Sequence, residues 1–227
     1  MIRLTSFFIL SICVICSSCK IDDYTFPNGA IYGTITDKLT NEPLQTEQPN
    51  GVVIRLYERG KSKNAPISFT GKPDGSFENA MIFQNEYQAI PVEGAFFPIG
   101  DTAAVKVESR TEVNFSVTPF LAILNTKITA STGKIIVSYS LAREKVGDKI
   151  VERKVLVSKI PTVNNVVFDF KKETNLTSVP DVDILKTPFT DEVTGLAAGG
   201  YYVRVGARTD NSLRKYNYSK PYKITVP

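Results

Sequence analysis

Short runs in which apolar and polar residues alternate recur along almost the whole chain, about ten residues apart. In one of them Val113, Phe115 and Val117 alternate with polar residues, the pattern of a strand with one buried and one solvated face. No long window shows apolar residues at helical spacing. Glycine-containing turn signals separate the runs, for example at 50–51, 73–75 and 92–94. The pattern predicts an all-β protein built from sandwiches or barrels.

The alternation places strands throughout the chain. In the first half they are expected at 30–36, 52–57, 67–69, 76–83, 86–92, 104–108 and 112–118. In the second half they are expected at 121–129, 134–140, 150–159, 166–170, 189–194, 201–208 and 218–226. Gly147 and Asp148 are expected to turn a hairpin between two of the latter strands.

Residues 1–19 have the pattern of a bacterial lipoprotein signal. The basic residue Arg3 precedes an apolar segment at 7–15 that is too short to span a bilayer. Ser17 and Ser18 then precede Cys19. A cut before a cysteine, in place of an Ala-x-Ala site, resembles the lipoprotein signals in which the cysteine is lipidated and becomes the new N-terminus. An ordinary secretory signal or an uncleaved anchor is the alternative.

Two acidic residues lie close behind the predicted lipidation site, after Lys20 and Ile21. Asp22 and Asp23 lie just behind Cys19, which resembles the signal that exports Bacteroidetes lipoproteins to the outer face of the outer membrane. Two or more acyl chains hold a protein firmly in a bilayer. Cys19 is therefore expected to anchor the chain to the outer membrane, exposed at the cell surface, without a transmembrane helix.

The predicted organisation is a signal peptide at 1–18, a lipidated tether at 19–27 and two β-sandwiches at 28–118 and 119–227. The boundary is placed at Pro119, where one series of strands ends and another begins. Each half is long enough to bury a small core of its own. The fold class is all-β, with two consecutive β-sandwich domains after a cleaved lipoprotein signal peptide.

Composition removes several classes of chemistry. The chain has no histidine, and its three cysteines are Cys13, Cys16 and Cys19. The mature body therefore offers no disulfide, thiolate metal site, His-ligated zinc or Ser-His-Asp triad. The net charge is +4, and the basic residues form no stripe of the kind that binds nucleic acid. We therefore expect that the protein is not an enzyme and has no catalytic residues. We also expect no metal, cofactor or nucleic acid partner.

The first half resembles the carboxypeptidase regulatory-like domain. The segment 29–37, GAIYGTITD, is followed at 40–44 by TNEPL and at 74–77 by DGSF, the order and spacing of that family's opening strand, P-L pair and D-G-x-F turn. The resemblance implies a seven-stranded, transthyretin-like sandwich that serves as an accessory module.

The end of the chain resembles a fibronectin type III or immunoglobulin-like domain. The segment 195–207, GLAAGGYYVRVGA, follows that family's L-x-P-G-x-x-Y-x-V-R-V-x-A pattern with a shortened turn and with Ala198 in place of proline. SKP at 219–221 matches the motif before the last strand. The resemblance implies that Tyr201 forms a tyrosine corner.

The mature chain as a whole is similar to a family of Bacteroidetes outer-membrane lipoproteins, domain of unknown function 3823. The lipidation motif, the first module, EGAFFP at 93–98 with DT at 101–102, and VTPFL at 117–121 carry this resemblance. It implies an association with polysaccharide-utilisation systems, and hence with an outer-membrane transporter or a glycan-binding lipoprotein as candidate partners.

Aromatic residues are the candidates for ligand binding. Phe96 and Phe97 are adjacent, so in a strand they point to opposite faces and one is expected to be exposed. That ring is either a stacking platform for a sugar or part of the packing between the modules; the absence of Trp favours packing. Tyr87 is a further candidate. Tyr216 and Tyr218 are expected to cover a strand edge.

Asp181 and Asp183 are interpreted as part of an exposed loop or, alternatively, as weak calcium ligands. Two functions remain open from the sequence. One is a non-catalytic surface lipoprotein that assists polysaccharide capture or uptake, by weak glycan binding or by bracing a transporter complex. The alternative is a structural or protein-interaction stalk without a small-molecule ligand.

Overall fold

The computed structural model describes residues 25–61 and 65–227. In these residues the chain folds into β-strands that form four sheets, and a single short helix accompanies them. The predicted all-β fold with two domains is confirmed. The predicted signal peptide and Cys19 lie outside the described residues.

Eight strands form the N-terminal domain: β1 (Gly29–Asp37), β2 (Val53–Glu58), β3 (Ile67–Thr70), β4 (Ser76–Ile82), β5 (Asn85–Val92), β6 (Ala103–Val107), β7 (Arg110–Glu112) and β8 (Phe115–Val117). One sheet has the order β4-β1-β7, with β8 also paired to β1; the other has the order β3-β2-β5-β6. The apolar face of each strand points between the two sheets, and the core includes Ile31, Ile35, Ile54, Leu56 and Phe77.

Strand β1 is the central element of its sheet. Buried and half-buried residues alternate along all nine of its positions. It pairs antiparallel with β4 and parallel with both β7 and β8. Gly33 is required here because a Cβ at this position would lie 1.7 Å from the carbonyl oxygen of Val113. The chain enters this domain at the Gly29 end of β1 and leaves it beyond β8, whose residues pair with the opposite end of β1.

The DGSF turn and the P-L pair both bond to the same residue of β1. Gly75 has φ +82, a conformation that favours glycine. Its carbonyl accepts a 2.9 Å hydrogen bond from the Ile35 N–H, which lies in β1. The Leu44 N–H in turn donates to the Ile35 carbonyl at 2.8 Å. The two motifs thus close one end of the sandwich on β1.

The C-terminal domain contains β9 (Ala122–Ser131), β10 (Lys134–Ala142), β11 (Ile150–Ser158), β12 (Phe170–Asn175), helix α1 (Asp181–Lys186), β13 (Phe189–Thr194), β14 (Gly199–Thr209), β15 (Asn217–Tyr218) and β16 (Tyr222–Val226). A three-stranded sheet has the order β13-β10-β9. It faces a sheet of order β12-β11-β14, in which both β15 and β16 pair with β14.

The core of this domain lies between those sheets. It is formed by inward-facing residues such as Val137, Val155, Val203 and Val205. The hydroxyl of Tyr201 donates a 3.1 Å hydrogen bond to the carbonyl of Ala197, four residues upstream. This is the geometry of a tyrosine corner, so that prediction is confirmed.

Three predictions about strands and their connections are wrong in this domain. The stretch expected as one strand at 218–226 forms two, β15 and β16, which residues 219–221 separate. The strand expected at 166–170 begins only at Phe170 and continues to Asn175. The preceding loop is held by the Asn164 side chain, whose Oδ1 accepts from the N–H groups of Val166 and Val167. Side-chain hydrogen bonds of this kind compete with strand pairing.

Gly147 and Asp148 do not turn a hairpin. Strand β10 pairs with β9 and β13, whereas β11 pairs with β12 and β14. The connection between β10 and β11 therefore crosses from one sheet to the other. This crossing carries residues 143–149 towards the N-terminal domain.

Candidate functional site

The three predicted aromatic residues do not form one site. Tyr87 lies on β5 with 2% of its surface exposed. Its hydroxyl donates a 2.9 Å hydrogen bond to the carbonyl of Phe83, and burial raises its pKa. Its ring packs in the core of the N-terminal domain, so it offers no face to a ligand.

Phe96 is also a core residue, with 4% of its surface exposed. It lies in the loop that follows β5 and forms an isolated bridge with Pro119. Gly94 leaves room for its ring, because a Cβ there would be 2.0 Å from a ring carbon. Glu93 turns the backbone with φ 60. Phe96 thereby closes one end of the N-terminal core.

Phe97 points away from that core and is half-buried against the C-terminal domain. Its ring meets the ring of Phe120 edge-on, with centroids 5.1 Å apart. The ammonium of Lys145 lies 4.7 Å from the Phe97 ring centroid, within cation–π range. A Cβ on Gly147 would be 2.6 Å from the ring. The β10–β11 connection therefore packs directly on Phe97.

A cleft of about 410 Å³ opens beside Phe97 at the junction of the domains. One wall is formed by residues 90–94 and 96–99 of the N-terminal domain. Phe120 lies between the walls, and the opposite wall is formed by 147–148 and 211–213. We call this space the junction cleft. Its size is typical of small-molecule sites, and its lining is predominantly apolar.

Few polar groups of the junction cleft remain available to a ligand. The Asn211 amide already bonds the Thr209 and Lys215 carbonyls, and its Oδ1 accepts from the Lys215 N–H. The carboxylate of Glu93 is paired with Arg55. Ser212 and Asp148 are exposed at the rim. The cleft thus combines aromatic and aliphatic surface with a few hydrogen-bonding groups.

One buried amide joins the two walls of the junction cleft to the linker, which is the segment 118–121 between β8 and β9. The Nδ2 of Asn217 donates to the Ala95 carbonyl at 2.8 Å, and its Oδ1 accepts from the Leu121 N–H at 3.0 Å. Asn217 is 3% exposed. Sequence reasoning missed this residue, because an asparagine near a chain end resembles an ordinary turn residue.

Tyr218, the next residue, also joins the two domains. It was expected to cover a strand edge, but it lies at the domain junction. Tyr218 is buried, and its hydroxyl donates to the Glu47 carboxylate at 2.7 Å, across the junction. The Arg204 guanidinium lies 4.4 Å from its ring centroid. Burial raises the pKa of Tyr218, and it lowers the pKa of Arg204 to about 10.

Two further hydrogen bonds tie these surfaces together. The ammonium of Lys215 donates to the Asn50 carbonyl. The Asn164 amide donates to the Gln48 carbonyl at 3.4 Å. The loop before β2 is thus held against the C-terminal domain at several points.

Asp181 and Asp183 belong to the first turn of α1, not to a loop. Asp181 pairs with Arg143 at 3.1 Å and with Lys149 at 3.6 Å, and its Oδ1 accepts from the Ile150 N–H. These contacts compensate the negative charge of the Asp181 carboxylate.

Within residues 25–61 and 65–227, no cluster of three acidic side chains is arranged to hold a metal ion. In the same residues no helix is long and apolar enough to cross a membrane.

Solved structures show the same two-domain fold. A DUF3823 family protein from Bacteroides uniformis is 24% identical with a TM-score of 0.76; the match covers 88% of this chain and all of that one. A second B. uniformis protein, named a "putative carbohydrate binding protein", is 22% identical with a TM-score of 0.73 over 88% of this chain and all of its own. A Parabacteroides merdae DUF3823 protein is 22% identical with a TM-score of 0.73, over 89% and 100%.

No curated protein matches the chain. Residues 29–118 match the family described as the N-terminal domain of a protein of unknown function, DUF3823. Residues 121–223 match the domain of unknown function DUF3823_C. The two matches follow one another and together span most of the sequence. The chain therefore belongs to the DUF3823 family.

Proposed function

We propose that the chain is a non-catalytic surface lipoprotein, anchored through Cys19, that binds carbohydrate weakly in the junction cleft and so assists polysaccharide capture or uptake. The junction cleft is the observation that carries the proposal, because it combines a small-molecule volume with the half-buried ring of Phe97. The name of the B. uniformis relative points in the same direction. The lipoprotein-like pattern at 1–19 supports the anchor.

The chemistry of the cleft suits a sugar ring. Sugars present a face of C–H groups that packs on aromatic and aliphatic surface, and hydroxyls that need polar partners. Phe97 and Leu213 supply apolar surface, while Asp148 and Ser212 supply an acceptor and a donor at the rim. Such sites depend on a few well-placed polar groups for orientation. Because few are free here and no Trp is present, we expect weak binding.

Calorimetric titration of the chain 20–227 with a panel of oligosaccharides tests the carbohydrate site. Phe97→Ala removes the central ring, and Leu213→Ser removes exposed apolar surface from the rim with little effect on folding. Both variants are expected to lose binding. Phe168→Ala is the matched control, since Phe168 is a partly exposed aromatic residue outside the cleft. Equal binding by all four proteins, each folded by circular dichroism, would contradict the proposal.

A second candidate function is a stiff spacer that braces a transporter or a glycan-binding lipoprotein. The specific observation in its favour is the junction itself, where Asn217, Tyr218 and Lys215 each bond the opposite domain. Co-purification of a membrane partner from cells, with no heat of binding from any glycan, would favour the spacer. Glycan binding without a partner would favour the cleft.

A further inference from the structure

Exposed apolar side chains lie at the end of the N-terminal domain where the chain enters it. Phe26 is 86% exposed, Met81 71% and Phe83 49%. Met81 and Phe83 flank Ile82, which is buried and paired with Gly29, the first residue of β1. Phe26 precedes Gly29 by only three residues. We call these three side chains the entry patch.

A β-bulge exposes part of the entry patch. The pairing of β1 with β4 shifts register between Gly29 and Ile31, whose partners are Ile82 and Asn79. The extra residue on β4 breaks the alternation, so Ala80 and Met81 are both exposed. Bulges re-aim side chains in this way. The Met81 N–H is satisfied by the Asn79 side chain at 2.9 Å.

The predicted anchor limits how far the entry patch can lie from a bilayer. Six residues lie between Cys19 and Phe26, so the seven Cα-to-Cα steps that join them span at most about 25 Å. The linker to the second domain leaves from the other end of β1. An anchor at Cys19 would therefore place the entry end of the N-terminal domain nearer to the lipid than the C-terminal domain.

Two acidic residues at this end are paired with basic residues. Glu86 is paired with Arg59, and Glu108 is paired with Lys106 at 2.9 Å. These carboxylates carry little net repulsion towards anionic headgroups. The entry end thus offers apolar side chains beside paired charges, and the acidic residues that remain are Glu58, which is bonded to the Asn85 amide at 2.6 Å, and Asp22 and Asp23 before Phe26.

We propose that the entry patch, Phe26 with Met81 and Phe83, rests in the headgroup region of the lipid surface to which Cys19 is attached. This goes beyond the carbohydrate site and rests on the anchor in the proposed function. Apolar side chains that enter the boundary between headgroups and acyl chains bind the surface in proportion to the area they bury. The lipid attachment and the entry patch together then fix the orientation of the protein on the bilayer, with the junction cleft held away from the lipid.

The absence of Trp from the chain makes single-Trp variants unambiguous reporters. The mature chain 19–227 has Cys19 as its sole cysteine, which can be coupled to a maleimide-bearing lipid in phosphatidylcholine–phosphatidylglycerol vesicles. Met81→Trp and Phe83→Trp place the reporter in the entry patch. Val166→Trp is the matched control, because Val166 is 67% exposed on the C-terminal domain.

Brominated acyl chains are expected to quench the fluorescence of Trp at 81 and 83, and to leave Trp at 166 unchanged. Equal quenching at all three positions, or none at 81 and 83, would overturn the proposal. Because the anchor is attached chemically, neither result depends on whether cells lipidate Cys19. Glycan binding by the same vesicles reports separately on the junction cleft.

Discussion

At the scale of single residues, Asn217 is a buried side chain that joins the two domains. Its amide satisfies a carbonyl of one domain and an N–H of the linker at the same time. Buried backbone groups are costly to leave unpaired, typically about 1–3 kcal/mol each. No other residue type of this size supplies one donor and one acceptor in this arrangement.

Asn217→Ala is therefore expected to lower the free energy of unfolding by about 1–3 kcal/mol, since it leaves the Leu121 N–H without its partner and the Ala95 carbonyl with only the Phe120 N–H. Urea unfolding followed by circular dichroism measures the loss. Gln84→Ala is the control, because Gln84 is exposed between β4 and β5, and it is expected to change stability by less than about 0.5 kcal/mol. A loss for Asn217→Ala no larger than the control's would show that water replaces the amide.

At the scale of elements, the outer face of the β12-β11-β14 sheet contains a network of charged side chains. It lies next to Tyr216 and Tyr218, whose ring centroids are 5.9 Å apart. Glu152 accepts hydrogen bonds from Arg208 at 3.0 Å and Tyr216 at 2.7 Å, and it pairs with Lys154 at 2.8 Å. Gly206 gives the rings room, because a Cβ there would be 3.0 Å from the Tyr218 ring. Burial alone would raise the pKa of Glu152, but these hydrogen bonds outweigh burial and lower it to about 2.

This lowered pKa predicts a loss of stability in acid. The ordinary pKa of the group is 4.5, so the unfolded chain takes up its proton first as the pH falls. The stabilisation is fully present above pH 4.5 and is lost as the pH falls towards about 2. Glu152→Gln is expected to cost up to about 3 kcal/mol at neutral pH, and this difference from wild type should shrink below pH 4.5.

Urea titrations at a series of pH values follow that difference. Glu192→Gln is the comparison, since Glu192 is an exposed partner of Lys134 at 3.2 Å and exposed pairs contribute little. A difference between wild type and Glu152→Gln that stays constant from pH 7 to pH 2 would contradict the assigned pKa.

Strand positions were largely predictable, because alternation follows directly from burial on one face. The tyrosine corner was predictable for a related reason, as its surroundings form a local motif around Tyr201. The predictions that were wrong concern features that depend on partners distant in the sequence or on the sheet to which a strand belongs. The hydrogen bonds of the Asn164 side chain hold a loop where a strand was expected, so β12 begins later in the chain. Residues 147–148 connect two different sheets instead of turning a hairpin. Neither feature leaves a pattern in the local sequence.

The candidate site was predictable only in part. The pair Phe96–Phe97 was correctly taken to point in opposite directions, and one ring does face the junction. The groups that build the junction cleft around it come from four separate parts of the chain, 90–99, Phe120, 147–148 and 211–213. Only the relative placement of the two domains brings them together, and spacing along the chain does not encode that placement.

At the scale of the whole molecule, the hydrogen bonds of Asn217 and Tyr218 across the junction predict that the domains unfold together. Scanning calorimetry of the wild type is expected to show one transition. The double variant Asn217→Ala with Tyr218→Phe removes both contacts and is expected to show two.

Tyr201→Phe is the control for the calorimetry. It removes the tyrosine-corner hydrogen bond within the C-terminal domain, worth about 1 kcal/mol, and leaves the junction intact. It should lower the temperature of a single transition without splitting it. Two transitions already in the wild type would show that the junction does not couple the domains.

The parallel pairing of β1 with β8 has a mechanical consequence. A pull between the proposed anchor at Cys19 and the C-terminal domain would draw the Gly29 end of β1 one way and the Val117 end of β8 the other. Parallel neighbours loaded in this direction slide past each other, so their hydrogen bonds share the force and yield together, unlike a hairpin that unzips one bond at a time. The N-terminal domain is thus arranged as a shear clamp, suited to a protein held at one end while its other end is under load.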